Sequence, residues 1–208
     1  MTKSKKISVL FLIPDITGFT RFMTSADQDF AHYAIPKILK SLAKANRLDF
    51  SIAEIEGDAI FFYKTGRLPA IYKVAEQCKV IFNEFNRVID SFRESDPEYF
   101  EKYLSQNQLG LKIIVHCGKI SISRIEGRTK LIGEDVILAH KLLKNKITIP
   151  NYILLSENYL NKLKDKKVVN TWFNWEKLKN GHEDYDHFET VNYNYISLNE
   201  CNNISCTF

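Results

Sequence analysis

Residues Ile7 to Ile13 read Ile-Ser-Val-Leu-Phe-Leu-Ile, a nearly unbroken apolar run rich in β-branched and aromatic residues. A strand with one wet face alternates polar and apolar residues; this run does not, which predicts a strand buried on both faces. Pro14 cannot donate to a ladder, so the strand is expected to end there. A chain of 208 residues can bury such a strand without disulfides or a structural metal. Hydrophobic residues at 45% and charged residues at 26% exclude a disordered chain, a collagen and a coiled-coil rod. The expectation is a single domain spanning 1–208.

From Phe19 to Leu48 the apolar spacing turns helical, with Phe22, Phe30, Tyr33, Ile38, Leu39 and Leu42 available for a core face and Pro36 separating or kinking helices. Asp49 to Tyr63 reads as a β-hairpin around Glu56-Gly57-Asp58. Ile71 to Phe92 repeats apolar residues at three- and four-residue steps, the stripe of one long helix. Asp96-Pro97 resembles a fresh helix start. Leu111 to Cys117 is a predicted strand, with Gly118-Lys119 a turn into Ile120 to Ile125. Arg128 to Ile132 is extended, Gly133 to Asn145 helical, Tyr152 to Leu155 a strand, and Ser156 starts a short helix. Lys167 to Leu198 is expected to hold one or two antiparallel strands, and 199–208 a frayed tail. Two hairpins interrupt the alternation that a doubly wound sheet requires. The order therefore predicts an α+β, ferredoxin-like, mostly antiparallel sheet with helices on one face.

Twenty-nine Lys and Arg against 25 Asp and Glu give a formal charge of +4. The densest basic stretch, Lys141 to Lys167, is interleaved with Leu, Ile and Asn and lacks Arg, the pattern of a solvated surface; no nucleic-acid partner is expected. Four Cys without a CxxC or framework spacing suit a reducing compartment. Met1 to Lys6 followed by the apolar run Ile7 to Pro14 imitates a signal peptide, but Asp15 follows and no small-residue cleavage site appears. No run reaches the length of a membrane span. These features lead us to expect a cytoplasmic protein.

Two carboxylates stand out. Asp15 follows the first strand and precedes Ile16-Thr17-Gly18-Phe19, a small-residue turn entering a helix. Backbone N–H groups of such a turn can hold phosphate oxygens while the carboxylate holds a divalent cation; the plainer alternative is that Asp15 caps the helix. Asp58 lies at the hairpin turn, beside another apolar strand. Two Asp from separate strands at one sheet edge suit two divalent ions and phosphoryl chemistry, and Mg²⁺ needs no His or Cys cage. An ordinary polar turn is the alternative for Asp58. His116 sits inside an apolar strand as a core histidine would. His140, next to the Lys141 position, is open to facing the site, although one helix step separates the two by about 100°. His182 and His187 fall in a segment that reads better as a polar surface loop than as a metal site.

Four segments together resemble class III nucleotidyl cyclase domains. Phe11 to Thr20 is similar to that family's first metal motif, Glu54 to Ile60 to its second, Leu111 to Gly118 to its R-I-G-I-H-x-G strand, and Lys130 to Lys141 to its G-D-x-V-N-x-A-x-R helix. They occur in the family's order and cover about residues 7–145. The resemblance implies that Asp15 and Asp58 bind metal, Mg²⁺ or Mn²⁺ with two ions per site. It implies that Ile16, Thr17, Gly18 and Phe19 form the turn holding the β- and γ-phosphates. Lys112 and Lys141 replace two family arginines that act on the terminal and the reacting phosphate, keeping the charge and losing the bidentate fork. Glu54 and Lys130 fall on the base-reading positions. Glu accepts where Lys donates, a pair that fits guanine and also a pyrimidine; a plain Glu54–Lys130 ion pair is the alternative. Ile137 stands where the family has an Asn that orients the ribose.

The implied activity is conversion of a nucleoside triphosphate to a 3′,5′-cyclic monophosphate and pyrophosphate, for signalling. The implied assembly is a homodimer in which the aspartates of one chain face Glu54, Lys130 and Lys141 of the other. With no sensor or membrane segment in the sequence, regulation is expected from a separate protein. Ile137 and the two lysines favour the other reading, a cyclase-like domain that binds a nucleotide or a protein without turnover.

Overall fold

The structure, a computed structural model, describes residues 6–105, 109–163 and 177–201. Its elements run β1 (Ile7–Thr17), α1 (Phe19–Ser25), α2 (Gln28–Lys44), β2 (Ser51–Glu56), β3 (Ala59–Thr65), α3 (Ile71–Ser95), α4 (Pro97–Tyr103), β4 (Gly110–Ile125), β5 (Arg128–Ile132), α5 (Glu134–Leu142), β6 (Tyr152–Ser156), α6 (Glu157–Leu160), β7 (Lys179–Glu183), β8 (Val191–Ser197) and α7 (Leu198–Cys201). The strand order is β2-β3-β1-β4-β6-β8-β7, with β5 paired to β4. Every pairing is antiparallel except β4 with β6. This is the expected mostly antiparallel α+β sheet.

The strand β1 lies between β3 and β4, and both its faces are buried. Leu10 and Leu12 pack with α2 and α3, while Val9, Phe11 and Ile13 join Leu138, Ala139 and Leu142 of α5 on the other face. Helices therefore cover both faces, not one, and this second layer is what an uninterrupted apolar run demands. The strand also does not stop at Pro14. Its ladder to β4 runs unbroken from Ile7 to Thr17, whereas the ladder to β3 steps from Leu12↔Phe62 to Asp15↔Ala59. In a strand paired on both sides each residue bonds to one neighbour, so the missing N–H costs one ladder a rung and leaves the other intact.

Other expectations shift in instructive ways. The break between the first two helices falls at Ala26–Asp27, where the Asp27 carboxylate caps α2 by accepting from the Phe30 N–H at 3.1 Å. Pro36 sits inside α2; it and His32, whose carbonyl it leaves without an amide, are both exposed, so water can serve that group. Tyr33, expected in the core, is half exposed. Asp96 makes no side-chain cap to α4. The expected turn at Gly118-Lys119 is instead continuous β4, and a Cβ at Gly118 would lie 2.2 Å from the Asp135 carboxyl carbon. The glycine is there for close approach of α5, not for a bend. The predicted strands in 167–198 appear as β7 and β8, with residues 164–176 outside the description. Of the expected tail, Asn199–Cys201 continues α7 after the buried Leu198, and 202–208 lie outside the described residues.

Candidate active site

The two predicted carboxylate segments, Asp15 at the end of β1 and Asp58 before β3, meet at one end of the sheet. In the register, Asp15 lies across from Ala59 on one side and Lys112 on the other, and Asp58 immediately precedes Ala59. The Ile16 N–H donates to the Asp58 carbonyl at 3.2 Å, which fastens the β2–β3 turn to the end of β1. Gly57 turns the hairpin with φ of 59°. Gly18 precedes α1 with φ of 80°, a left-handed conformation that lets the chain leave β1 and enter a helix at once. The spacing that set two carboxylates beside apolar strands thus brings them together.

Both carboxyl groups are held above the ordinary aspartate range. Asp15 is 7% exposed, and burial pushes it up to about 7, with the neighbouring Asp58 adding to the rise and Lys112 opposing it. Burial raises Asp58 as well, against its own backbone hydrogen bond and the pull of Lys112. Two carboxyls within hydrogen-bonding reach cannot both ionise cheaply in so dry a place. The Lys112 ammonium lies 3.4 Å from Asp15 Oδ2 and donates to the Leu143 carbonyl at 2.9 Å, tying β4 to the end of α5. One lysine for two carboxyls leaves a deficit of positive charge, the electrostatic state that a divalent cation relieves. The donor set, oxygen only and half-supplied by the protein, suits Mg²⁺ or Mn²⁺ completed by phosphate and water. Among the described residues no cluster of three or more His, Cys, Asp or Glu is poised to hold a metal by itself.

The carboxylates open onto a cleft of about 890 Å³, within the usual size of small-ligand sites. Ile16, Thr17, Gly18 and Phe19 form one wall; Lys112, His140, Lys144 and Asn145 stand on the other. That far wall is fixed by polar ties from parts of the chain with no resemblance to known motifs. Thr17 donates to the Pro150 carbonyl at 2.8 Å, Tyr152 donates to Asn145 at 2.9 Å, and the buried Glu183 carboxylate accepts from the Lys146 N–H at 2.8 Å.

The remaining expected residues separate into two groups. Glu54 and Lys130 come together, with 3.7 Å between Glu54 Oε2 and Lys130 Nζ, so the ion pair exists within one chain. Lys141 does not line the cleft of its own chain: its ammonium lies 5.3 Å from the centroid of the Tyr185 ring, and its carbonyl accepts from the Tyr185 hydroxyl. Ile137 is 53% exposed. His140, left open as a residue facing the site, is the α5 side chain that enters the cleft. Its imidazole stacks on Phe61 at 4.1 Å, with Nε2 3.4 Å from Glu54 and Nδ1 3.4 Å from Glu56. Lys144 and Asn145 had no sequence signal beyond lying just past the helix motif. His116 is fully buried, bonded through Nδ1 to Ser156 Oγ at 2.9 Å, as a core histidine should be. His182 and His187 are exposed.

The fold is that of solved nucleotidyl cyclases. The guanylyl cyclase Cya2 superposes with a TM-score of 0.68 at 16% identity, covering 93% of each chain. The adenylyl cyclase CyaB from P. aeruginosa gives 0.60 at 14% identity, covering 93% of this chain and 95% of its own. A class III adenylyl cyclase-like ATP-binding protein from Pseudomonas aeruginosa gives 0.63 at 19% identity, covering 81% of this chain and 37% of its own. In sequence, the uncharacterized protein Rv2561/Rv2562 of Mycobacterium tuberculosis (strain ATCC 25618 / H37Rv) is 24% identical over 121 residues, 58% of this chain. The chain spans about half the length of that relative, the match covering 56% of it. No helix among the described residues is long and apolar enough to cross a membrane. The DUF2652 family, described as a protein of unknown function, matches residues 35–152, a span that takes in Asp58, Lys112 and His140 and begins beyond Asp15. The chain belongs to the DUF2652 family and has the class III adenylyl/guanylyl cyclase fold.

Proposed function

We propose that this protein is a divalent-metal-dependent nucleotidyl cyclase. The observation that carries the reading is the pair of neighbouring carboxyls Asp15, buried, and Asp58, half-buried, both raised, at the mouth of a nucleotide-sized cleft. A pure scaffold has no use for such a pair, because taking two adjacent carboxyls partly out of water destabilises it.

In this reading Asp15 and Asp58 hold Mg²⁺ or Mn²⁺, two ions per site, which when bound supply charge stabilisation and acidify the 3′-hydroxyl. The turn Ile16 to Phe19 offers backbone N–H groups to the β- and γ-phosphates; Ile16 already spends its own on Asp58 and Thr17 is a rung of the β4 ladder opposite Gly110, so Gly18 and Phe19 are the part left for the cradle. Lys112 faces the terminal phosphate from β4. Glu54 accepts from the base and Lys130 donates to it. The 3′-oxygen attacks the α-phosphorus, the bond to the pyrophosphate oxygen breaks, and the hydroxyl proton leaves to solvent. Holding these groups in line provides most of the acceleration.

The Lys141 ammonium rests over Tyr185 in its own chain, which favours a role across a homodimer. The large exposed isoleucines support that assembly: Ile52 and Ile55 on β2, Ile122 and Ile125 on β4, Ile132 on β5 and Ile137 on α5 are each 44–56% exposed. Apolar surface of this kind, on elements that touch one another, marks an interface. Mixing Asp58→Ala with Lys141→Ala protein is then expected to restore up to about a quarter of the activity, since half the dimers are mixed and each has one intact site. The cell compartment in this reading is the cytoplasm, with a separate protein as regulator.

The second reading, a nucleotide-binding domain without turnover, draws on Ile137, which cannot orient a ribose by hydrogen bonding. One experiment decides between them. Purified protein is incubated with each of the four ribonucleoside triphosphates and Mn²⁺ or Mg²⁺, and the products are weighed by mass spectrometry. A cyclic monophosphate that disappears in Asp58→Ala is the expected result. Triphosphate binding with no product from any nucleotide would establish the second reading instead.

A further inference from the structure

The group nearest the base-reading pair is one that neither reading uses. Glu54 is flanked by two nitrogen-bearing side chains, Lys130 on β5 and His140 on α5. His140 is held from three sides: its ring stacks on Phe61 of β3, and its two nitrogens face Glu54 and Glu56 of β2. Behind Phe61 the space between Glu54, Thr129, Lys130 and Val136 amounts to only about 30 Å³, too little for the rings of a nucleobase. The flat aromatic position over Phe61, with a donor presented to Glu54, is what a bound base requires. The imidazole already has it.

We infer that His140 is a specificity-determining residue that acts as an internal competitor for the nucleobase, stacked in the base's place and surrendering Glu54 when a nucleotide binds. The inference rests on the nucleotide-site reading and deepens it. An imidazole stack and two partly exposed carboxylate contacts are individually weak, so displacement is affordable. It also selects: a base that hands Glu54 an N–H replaces what His140 gave, and one that presents only a lone pair there sets it against the carboxylate, with Lys130 as the one partner left. His140 projects from a helix at 34% side-chain exposure, so its replacement does not open the core.

The test titrates wild type, His140→Ala and His140→Phe calorimetrically with Mn²⁺ and each of the four ribonucleoside triphosphates. Inorganic tripolyphosphate, which has no base, is titrated in parallel. His140→Ala is expected to bind the nucleotide that wild type prefers about tenfold more tightly, the sum of the contacts surrendered. Its tripolyphosphate affinity is expected to match wild type. His140→Phe keeps a ring over Phe61 and is expected to show no gain. Weaker or unchanged nucleotide binding in His140→Ala overturns the inference, as does an equal gain for tripolyphosphate, while either leaves the nucleotide-site reading standing. Failure of wild type and both variants to bind tripolyphosphate or any nucleotide overturns that reading itself.

Discussion

Two half-buried polar clusters hang on the same strand, β4, and they are built on opposite electrostatic plans. At its beginning, Asp15 and Asp58 share a single ammonium, Lys112, and both carboxyls are driven upward. Midway along it, Asp135 faces His116 Nε2 at 3.3 Å and accepts from the Lys119 N–H at 2.7 Å. Burial pushes Asp135 up too, but His116 and that N–H more than offset it, and the carboxyl is held below the ordinary range. On its other side His116 reaches Ser156, which caps α6 by accepting from the Tyr159 N–H. One cluster is satisfied by the protein and locks α5 and α6 to the sheet. The other is left short of positive charge. That one carboxylate is satisfied by the protein and two others are left short of positive charge supports the proposal that an external cation completes the second cluster.

The contrast is open to attack on the satisfied side first. Asp135→Ala strips the partner from a fully buried imidazole and is expected to cost about 3 kcal/mol in denaturant unfolding. Its affinity for Mn²⁺ with tripolyphosphate is expected to stay within about twofold of wild type once the protein is folded. A large loss of that affinity at undiminished stability would mean the two clusters are not separate in role.

The carboxylate pair makes the opposite prediction for stability. Folded Asp15 keeps its proton up to about pH 7, whereas an unfolded chain releases it near 3.8, so between these values the folded state binds more protons. Stability from this group is therefore full below about pH 4 and is lost as pH rises through 7. Moving the release of that proton from near 3.8 to about 7 sets a ceiling of about 4 kcal/mol, and about 2 is expected once Asp58 and Lys112 share the change. Metal-free protein should melt at lower temperature at pH 8 than at pH 5.5, and Asp15→Asn should flatten that part of the slope. For Asp135, lowered rather than raised, the stabilisation is lost only as pH falls below the ordinary aspartate value. An Asp15→Asn profile superimposing on wild type would remove the electrostatic case for the site.

The smallest effect concerns α5, the helix that runs from one cluster toward the other. If its middle faces a nucleotide across the dimer, Ile137→Asn restores a ribose contact and raises turnover about tenfold with little change in triphosphate affinity. A fall in turnover with the fold intact would mean that the pocket is shaped around an apolar group there, and the role assigned to Lys141 on the same helix should then be withdrawn.

How much of this could be read in the sequence depended on how local the cause was. The β1 run, the Gly57 turn and the stripe of α3 each declare themselves within a few residues, and with them the meeting of Asp15 and Asp58 at one sheet end. Pro14 misled because a proline's effect depends on which neighbour its amide would have served. Gly118 misled because a glycine signals either a bend or a close approach, and only the packing of Asp135 tells them apart. His140 could not be placed from the motif alone: one helix step separates it from Lys141, and only the packing of its ring on Phe61 shows that it enters the cleft of its own chain, while Tyr185, far along the chain, takes up the lysine.

Calorimetric titration of Mn²⁺ with a nucleoside triphosphate into wild type, Asp15→Asn and Asp58→Asn tests the central claim most directly. Wild type should bind only with the metal present, and each variant, folded by circular dichroism, should lose metal-dependent binding by at least about a hundredfold. Equal metal–triphosphate affinity in all three proteins would contradict the claim that this carboxylate pair is the site.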